Sequence, residues 1–387
     1  RLGGGLASVR PDDLLAEVLR ALVERVGLEP GLVDEVVAGC GNQAGEDNRD
    51  VARIAWLLAG LPLETGGVTV NRLCGSSLQA TIQAGHALAA GWGDLAVAGG
   101  SESMSRAPLV MMTKPTAAYR PGLPEMADTT LGWRLVNPRW HDRYRTLQMG
   151  ETAEEVADRW GIGREEQDRF ALASHQRALA AIEAGRFADE IEPLEAPQDD
   201  RGRDVRLVDT DEGPRADTSL EALGRLRPVF RDGGTVTAGN ASQMNDGSAA
   251  VLLATGSAVQ RLGLEPMARI VSSAVAGVHP DIMGTGPIPA TRKALDRAGL
   301  AIDDIGLVEL NEAFAAQAIA CERELGLDHD IVNVNGGAIA NGHPLGASGA
   351  KILTTLLWEM QRRDVRYGLA TMCIGVGQGV ALVVERV

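Results

Sequence analysis

Cys74, His343 and Cys373 are the residues of this chain best suited, by type and setting, to thiol chemistry. Cys74 lies in Arg72-Leu73-Cys74-Gly75-Ser76-Ser77, where a strand-like VTVN meets a helix-like stretch. A thiol at a helix N-terminus feels the positive end of the backbone dipole, which is expected to lower its pKa and favour the nucleophilic thiolate. An arbitrary cysteine more often packs as a small apolar group, but the glycine and two serines that follow make this turn tight and polar. His343 occupies the glycine-dense loop NGHPLGASG; a histidine there is either a structural hydrogen-bonding group or the base for a thiol in reach. Cys373 ends a strand-like run ahead of a glycine turn, CIGVGQG. It is either an incidental turn residue or a proton-exchanging thiol beside free backbone N–H groups. Asn311 and Glu312 stand at another strand end, where capping is the ordinary role. His86, His141, His175, His279 and His329 form no ligand-spaced cluster and read as mostly surface residues, while Trp56, Trp92 and Trp160 read as packing.

A faint internal repeat positions the first two candidates. Near the start come a strand at Val33–Cys40, the run Val68–Asn71, a helix at Ser76–Ala90 and a strand at Asp94–Ala98. Near the end the same order recurs as Ile305–Leu310, Val332–Asn335, Ser348–Arg362 and Gly368–Met372, followed by Val380–Glu385. Cys74 and His343 fall in equivalent turns, so symmetry would bring them to one face. In the first half the last strand, Ser248–Ala254, is reached only after about 150 residues, far beyond an ordinary loop. Helical spacing over Glu151–Trp160 and Arg164–Ala184 gives that insertion structure of its own, and Gln198–Arg215 reads as an exposed polar excursion. The expected fold class is α/β, with two similar halves packed together, a mainly parallel sheet covered on both faces in each, and an inserted lobe. Residues 1–105 with 237–260 would form the N-terminal half, 106–236 the insertion and 264–387 the C-terminal half.

Composition narrows the partners. A net charge of −15 disfavours nucleic acid and anionic membrane surfaces. No apolar run approaches the roughly 20 residues of a membrane-spanning helix, and no signal-like opening is present, which gives an expectation of a cytoplasmic protein. The four cysteines lie far apart without a CxxC pair, so neither a disulfide framework nor a zinc module is expected.

Over nearly its whole length the chain resembles the thiolase family, through NRLCGSS, GGSESMSRAP, MGETAEEVADRWGI, TVTAGNASQMNDGSAA, MGTGPIPATRKAL, ELNEAFAAQ, NGGAIANGHPLGASGA and TMCIGVGQGVAL. The resemblance implies two thiolase-type α/β halves with an inserted loop domain. It also implies an acyltransferase that reversibly cleaves or forms 3-oxoacyl-CoA through an acyl-Cys74 intermediate. Cys74 would be the nucleophile, His343 its base, Cys373 the second acid/base, and Asn311 the holder of a catalytic water. The backbone N–H groups of Cys74 and Gly375 would form one oxyanion site, and His343 with the Asn311-held water another. Ser242 would contact CoA, with Arg215, Gln148 and Met283 as further CoA contacts. Acetyl-CoA, CoA and 3-oxoacyl-CoA would be the substrates, with no metal or prosthetic group, and the assembly a homotetramer.

Gln148 stands where short-chain biosynthetic thiolases typically carry histidine, and TMCIGVGQGVAL and DTTLGWRLVNP resemble thiolases acting on 3-oxoadipyl-CoA as well as general acetyl-CoA acetyltransferases. Acyl-chain preference therefore stays open at this point. A condensing synthase of the same superfamily would typically carry histidine in place of Cys373. A catalytically silent acyl-CoA-binding protein would not need all three reactive residues. The opening Arg1-Leu2-Gly3-Gly4-Gly5-Leu6 resembles the family just after its first strand, whose counterpart in the second half is Met267–Val275. The first sheet is thus expected to be one strand short of its partner, with an exposed edge, and a further N-terminal strand to precede this sequence in the natural protein.

Overall fold

The computed structural model describes residues 1–111, 126–198 and 204–387. Its strands in chain order are β1 (Glu35–Gly39), β2 (Gly66–Val70), β3 (Leu95–Ser103), β4 (Leu109–Met111), β5 (Met126–Asp128), β6 (Leu194–Pro197), β7 (Val205–Val208), β8 (Asp246–Ala254), β9 (Ala268–Gly277), β10 (Leu307–Leu310), β11 (Tyr367–Ile374) and β12 (Gln378–Arg386). The helices are α1 (Pro11–Val26), α2 (Val51–Leu58), α3 (Ser76–Ala89), α4 (Met149–Trp160), α5 (Arg164–Glu183), α6 (Leu220–Gly224), α7 (Gly256–Leu262), α8 (Pro287–Ala298), α9 (Ala315–Leu325), α10 (Ala338–Asn341) and α11 (Ser348–Arg363).

Side chains on a strand alternate between faces, and this period decides the layering. Val36, Ala38, Leu95 and Val97 pack with α1 and α2, whereas Val37, Ala96 and Ala98 pack with Ala80, Ala84 and Leu88 of α3. In the second sheet Val308, Leu310 and Val383 meet α8 and α9. The opposite face, with Leu307, Met372 and Leu382, meets Leu78 and Ile82 of α3 and Leu353 and Leu356 of α11. Helices α3 and α11 therefore form a shared layer between two sheets, each with its own outer helices. Trp56 is fully buried in the first half, but Trp92, expected to pack, lies in the turn after α3 and is 82% exposed.

The sheets are ordered β2-β1-β3-β8 and β10-β11-β12-β9. In each, three strands run one way and β8 or β12 runs against them. The expected mainly parallel pairing therefore fails in the second sheet. There β12 returns from β11 through a tight turn and inserts between β11 and β9, making two antiparallel ladders. The run Val332–Asn335 is no counterpart of β2 either, since it contributes a single bridge between Val332 and Val308. Asn333 takes a left-handed φ of 46°. Its amide bonds both the N–H and the C=O of Leu310, so a side chain replaces the ladder.

Both sheets consequently hold four strands, rather than the first being one short. The edge of β8 corresponding to the one β9 covers on β12 is unpaired among the described residues. It borders a cavity of about 1790 Å³ lined in part by Val251, Leu253 and Ile270. In the insertion, β4 pairs with β5 and β6 with β7. Residues 199–203 of the expected polar excursion lie outside the described residues, and β7 within it is largely exposed.

The central layer closes at one tight point. A β-carbon on Gly349, in the first turn of α11, would lie 2.3 Å from the Leu78 backbone nitrogen of α3. Beside it the Ala350 N–H donates to Ser77 Oγ at 2.8 Å. Gly349→Ala should destabilise the protein by about 1–3 kcal/mol through overpacking. The measurement is the urea midpoint at unchanged m-value, and an unmoved midpoint would show that the two helices have room to spare.

Candidate active site

Cys74 is held by a turn that bonds to itself. Leu73 takes a positive φ of 47° and its N–H donates to Asn71 Oδ1 at 2.9 Å. Ser76 Oγ donates to the Leu73 carbonyl at 2.6 Å and accepts from the Arg72 N–H at 2.9 Å. These bonds satisfy groups that a bare helix start would leave open and fix the thiol at the beginning of α3. The backbone N–H groups of Gly375 and of Cys74 itself lie close enough to the Cys74 sulfur to favour its thiolate.

The expected lowering of the Cys74 pKa does not occur. Burial pushes it up to about 11, with Glu102 adding to the rise, against the two N–H donors that oppose it. Desolvation of a thiolate outweighs the helix terminus here. Cys74 nevertheless keeps some accessible surface, so it is a reachable thiol enclosed on most sides.

His343 sits between α10 and α11, and its N–H donates to the Gln243 carbonyl. Its ring is gripped at both ends: Nδ1 lies 2.6 Å from Ser348 Oγ, and Nε2 lies 3.5 Å from Asn311 Nδ2. Because the Asn311 amide nitrogen can only donate, the tautomer assigned has its proton on Nδ1, shared with Ser348, and a lone pair on Nε2. Burial, with the charge of Lys351, lowers the His343 pKa to about 3, so the ring is neutral at pH 7. Asn311 is 1% exposed at the end of β10, and its Oδ1 accepts from no described protein group.

Cys373 lies near the end of β11 in an apolar cluster with Met283, Phe314 and Ala313, partly walled by Met149. Burial holds its thiol well above the ordinary range, and the proximity of Cys74 and Cys321 adds to the rise. Just beyond it the chain turns through Val376 at φ 64° and Gly377 at φ 83°, which directs the Gly375 N–H at Cys74. The two halves meet at the same place. A methyl on Gly41 would lie 3.6 Å from both the Leu73 carbonyl and Leu345 Cβ, so the loops carrying Cys74 and His343 adjoin one another.

Two buried carboxylates, neither given a role beyond capping by the sequence, tie these loops down. Glu102, on β3, accepts from the N–H groups of Gly41, Asn42 and Gly346. Glu312 accepts from Ser174 Oγ, Asn333 Nδ2 and the Ile339 N–H. Burial raises the pKa of both, and the donated N–H and side-chain bonds oppose the rise. The available signal was an acidic residue in an otherwise small and apolar strand, GGSES.

The proposed CoA contacts are less concentrated. Ser242 is half-buried, with its N–H on the Ala313 carbonyl. Gln148 is exposed at the start of α4, its N–H on Glu151. Met283 is buried beside Cys373. Arg215 is exposed, and its N–H donates to Nδ1 of His175. His175 is 4% exposed, contrary to the surface reading, and burial lowers its pKa to about 4. Its position on the inner side of α5, where a backbone donor satisfies it, accounts for the difference. Among the described residues no group of three or more His, Cys, Asp or Glu is placed to hold a metal ion. No helix there is long and apolar enough to cross a membrane.

Residues 1–257 match the family model for the thiolase N-terminal domain, and residues 264–386 match that for the thiolase C-terminal domain. The chain is 55% identical over 391 residues to the beta-ketoadipyl-CoA thiolase of Pseudomonas aeruginosa, covering 100% of this chain and 96% of that protein. It is 53% identical over 390 residues to the 3-oxoadipyl-CoA/3-oxo-5,6-dehydrosuberyl-CoA thiolase of Escherichia coli, with the same coverage. The crystal structure of the Bacillus anthracis acetyl-CoA acetyltransferase superposes with a TM-score of 0.92 at 42% identity, covering 100% of this chain and 95% of that one. Human mitochondrial 3-ketoacyl-CoA thiolase in complex with CoA gives 0.91 at 40% identity, covering 100% and 94%. A thiol pair, a neutral histidine and paired α/β halves thus stand on a chain whose whole length matches one family, and the chain belongs to the thiolases, which are acyltransferases.

Proposed function

We propose that Cys74 carries the acyl group, with His343 as its base and Cys373 as the second acid/base, and that the substrate is a 3-oxoacyl-CoA ending in a carboxylate, of the 3-oxoadipyl type. The observation that carries the roles is the meeting of the Leu73 and Leu345 loops at Gly41, which sets the Cys74 thiol beside the loop of the buried, neutral His343, with the Gly375 N–H and Cys373 acting on that thiol. The substrate class rests on full-length identity of 55% and 53% to proteins named for 3-oxoadipyl-CoA, also called beta-ketoadipyl-CoA.

In cleavage, His343 Nε2 takes the Cys74 proton and the thiolate attacks the 3-oxo carbon. The N–H groups of Cys74 and Gly375 stabilise the resulting oxyanion, and the bond between C2 and C3 breaks. The departing enolate of acetyl-CoA takes a proton from Cys373. The Cys373 thiolate is reprotonated from the imidazolium. His343, neutral again, takes the proton of the incoming CoA thiol and hands it to Cys74 as the shortened acyl group leaves. Asn311 Oδ1, buried without a protein donor, suits the holding of a water beside His343. Arg215 offers an exposed cation for the phosphates of CoA, with Ser242, Gln148 and Met283 along the remaining length. Synthesis runs the same steps in reverse.

We further assign the chain to a homotetramer built from dimers. The outer edge of β2 is free among the described residues and Leu58 and Leu63 are exposed nearby, a combination suited to isologous pairing. All four cysteines are free thiols, which suits a reducing cytoplasm.

Cys74→Ser should gain no acetyl group from acetyl-CoA, whereas Cys373→Ser should gain one and fail in carbon–carbon bond cleavage. Intact mass and thiolysis rate read the two outcomes, and normal turnover by either variant removes that residue from the mechanism. His343 also sets a pH dependence. Its folded pKa of about 3 lies below the ordinary 6.5, so its contribution is full above pH 6.5 and is lost as pH falls towards 3. Within that window the unfolded chain binds one extra proton. Wild type should then lose about 1.4 kcal/mol per pH unit more than His343→Asn in urea unfolding; parallel pH profiles would contradict the buried neutral ring. Sedimentation should give a tetramer, and a fully active monomer at micromolar concentration would overturn the assembly.

A further inference from the structure

A chain of net charge −15 that takes a substrate with an additional carboxylate needs a cation near the acyl end of its site. Most basic residues around Cys74 are already engaged or point elsewhere. Arg106 is paired with Glu46 and Lys351 donates to the Gly342 carbonyl behind His343, while Arg72, also on neutral acceptors, is stretched between Gln79 of α3 and Gln378 of β12 across the seam of the two halves.

Arg134 is different. The segment that holds it runs from Thr129, which accepts from Asn42 Nδ2, to Met149, whose sulfur would lie 3.7 Å from a methyl on Gly375. Asn42 adjoins Gly41, the contact point of the Leu73 and Leu345 loops. Trp133 fastens the segment midway, with Nε1 on the Leu147 carbonyl and its ring 4.9 Å from that of Trp140. The half-buried Arg134 guanidinium donates to the Thr129 carbonyl at 3.2 Å and to Asn42 Oδ1 at 3.3 Å. Both acceptors are neutral, and no carboxylate pairs with it among the described residues. They orient the guanidinium beside Asn42, next to the Gly41 junction of the Leu73 and Leu345 loops, without cancelling its charge, and leave donors of its fork unspent.

We propose that Arg134 binds the terminal carboxylate of the acyl chain carried by Cys74, and so selects dicarboxylic 3-oxoacyl-CoA over unsubstituted chains of similar length. This rests on the substrate class proposed above. A fork-to-carboxylate pair supplies both charge and direction, and an uncharged chain end leaves the cation unsatisfied.

The test is thiolysis of 3-oxoadipyl-CoA and of acetoacetyl-CoA by the same preparations of wild type, Arg134→Met and Arg134→Lys. The readout is the ratio of the two kcat/KM values, which does not depend on the folded fraction. In Arg134→Met the ratio should fall by about 10- to 100-fold, with partial recovery in Arg134→Lys, because a purely structural loss would lower both substrates alike. Wild type that favours acetoacetyl-CoA sinks the substrate class and this role with it. Wild type that favours 3-oxoadipyl-CoA, with the ratio in Arg134→Met within about twofold of it, overturns the role of Arg134 alone.

Discussion

The backbone of α3 and the first turn of α11 approach so closely that Gly349 has no space for a side chain beside Leu78. That approach fixes the rest of the site. Each helix begins next to a loop that carries one reactive group, and crossing the helices near their starts brings those loops from opposite halves to one point. Glu102 then closes the junction, since its carboxylate sits on β3 of one half and holds the N–H of Gly346 in the other. Neither half alone contains the site.

Burial has a second effect, on charge. It raises the Cys74 thiol to about 11 and lowers the His343 imidazole to about 3, so the neutral thiol and neutral ring are the resting pair. An ion pair here would be costly in a dry setting, even with mutual attraction between the two. In the proposed mechanism charge separation is therefore deferred until substrate supplies an electrophile and the Gly375 and Cys74 N–H groups find a developing oxyanion. The helix terminus alone does not make the thiolate.

Much of this was legible in the sequence, for stated reasons. Strands and helices with strong periodicity, such as Ser348–Arg363, are local patterns, and the repeat of those patterns located the turns bearing Cys74 and His343. Val332–Asn335 has a strand's composition but not its structure, because Asn333 turns left-handed to bond Leu310, a partner 23 residues away. Glu102 was silent for a similar reason: its bond to Gly346 spans 244 residues, and no local pattern announces it. The Cys74 pKa departs from the sequence expectation because a dipole is readable from neighbours, whereas desolvation depends on everything folded around the thiol.

The repeat also carries a constraint on how such a site can be composed. Two equivalent turns would, under strict symmetry, present identical residues to each other, and two identical groups there would leave the proposed attack by a thiol without an imidazole to take its proton. Chemistry therefore demands that the symmetry be broken at the very point where packing demands that it be kept. The chain meets both demands by conserving the helix starts, Ser76 and Ser348, while varying what precedes them: Cys74 two residues before one, and His343 five residues before the other. Duplicated architecture supplies the meeting place, and a local difference in loop length sets a thiol in one copy of the turn and an imidazole in the other.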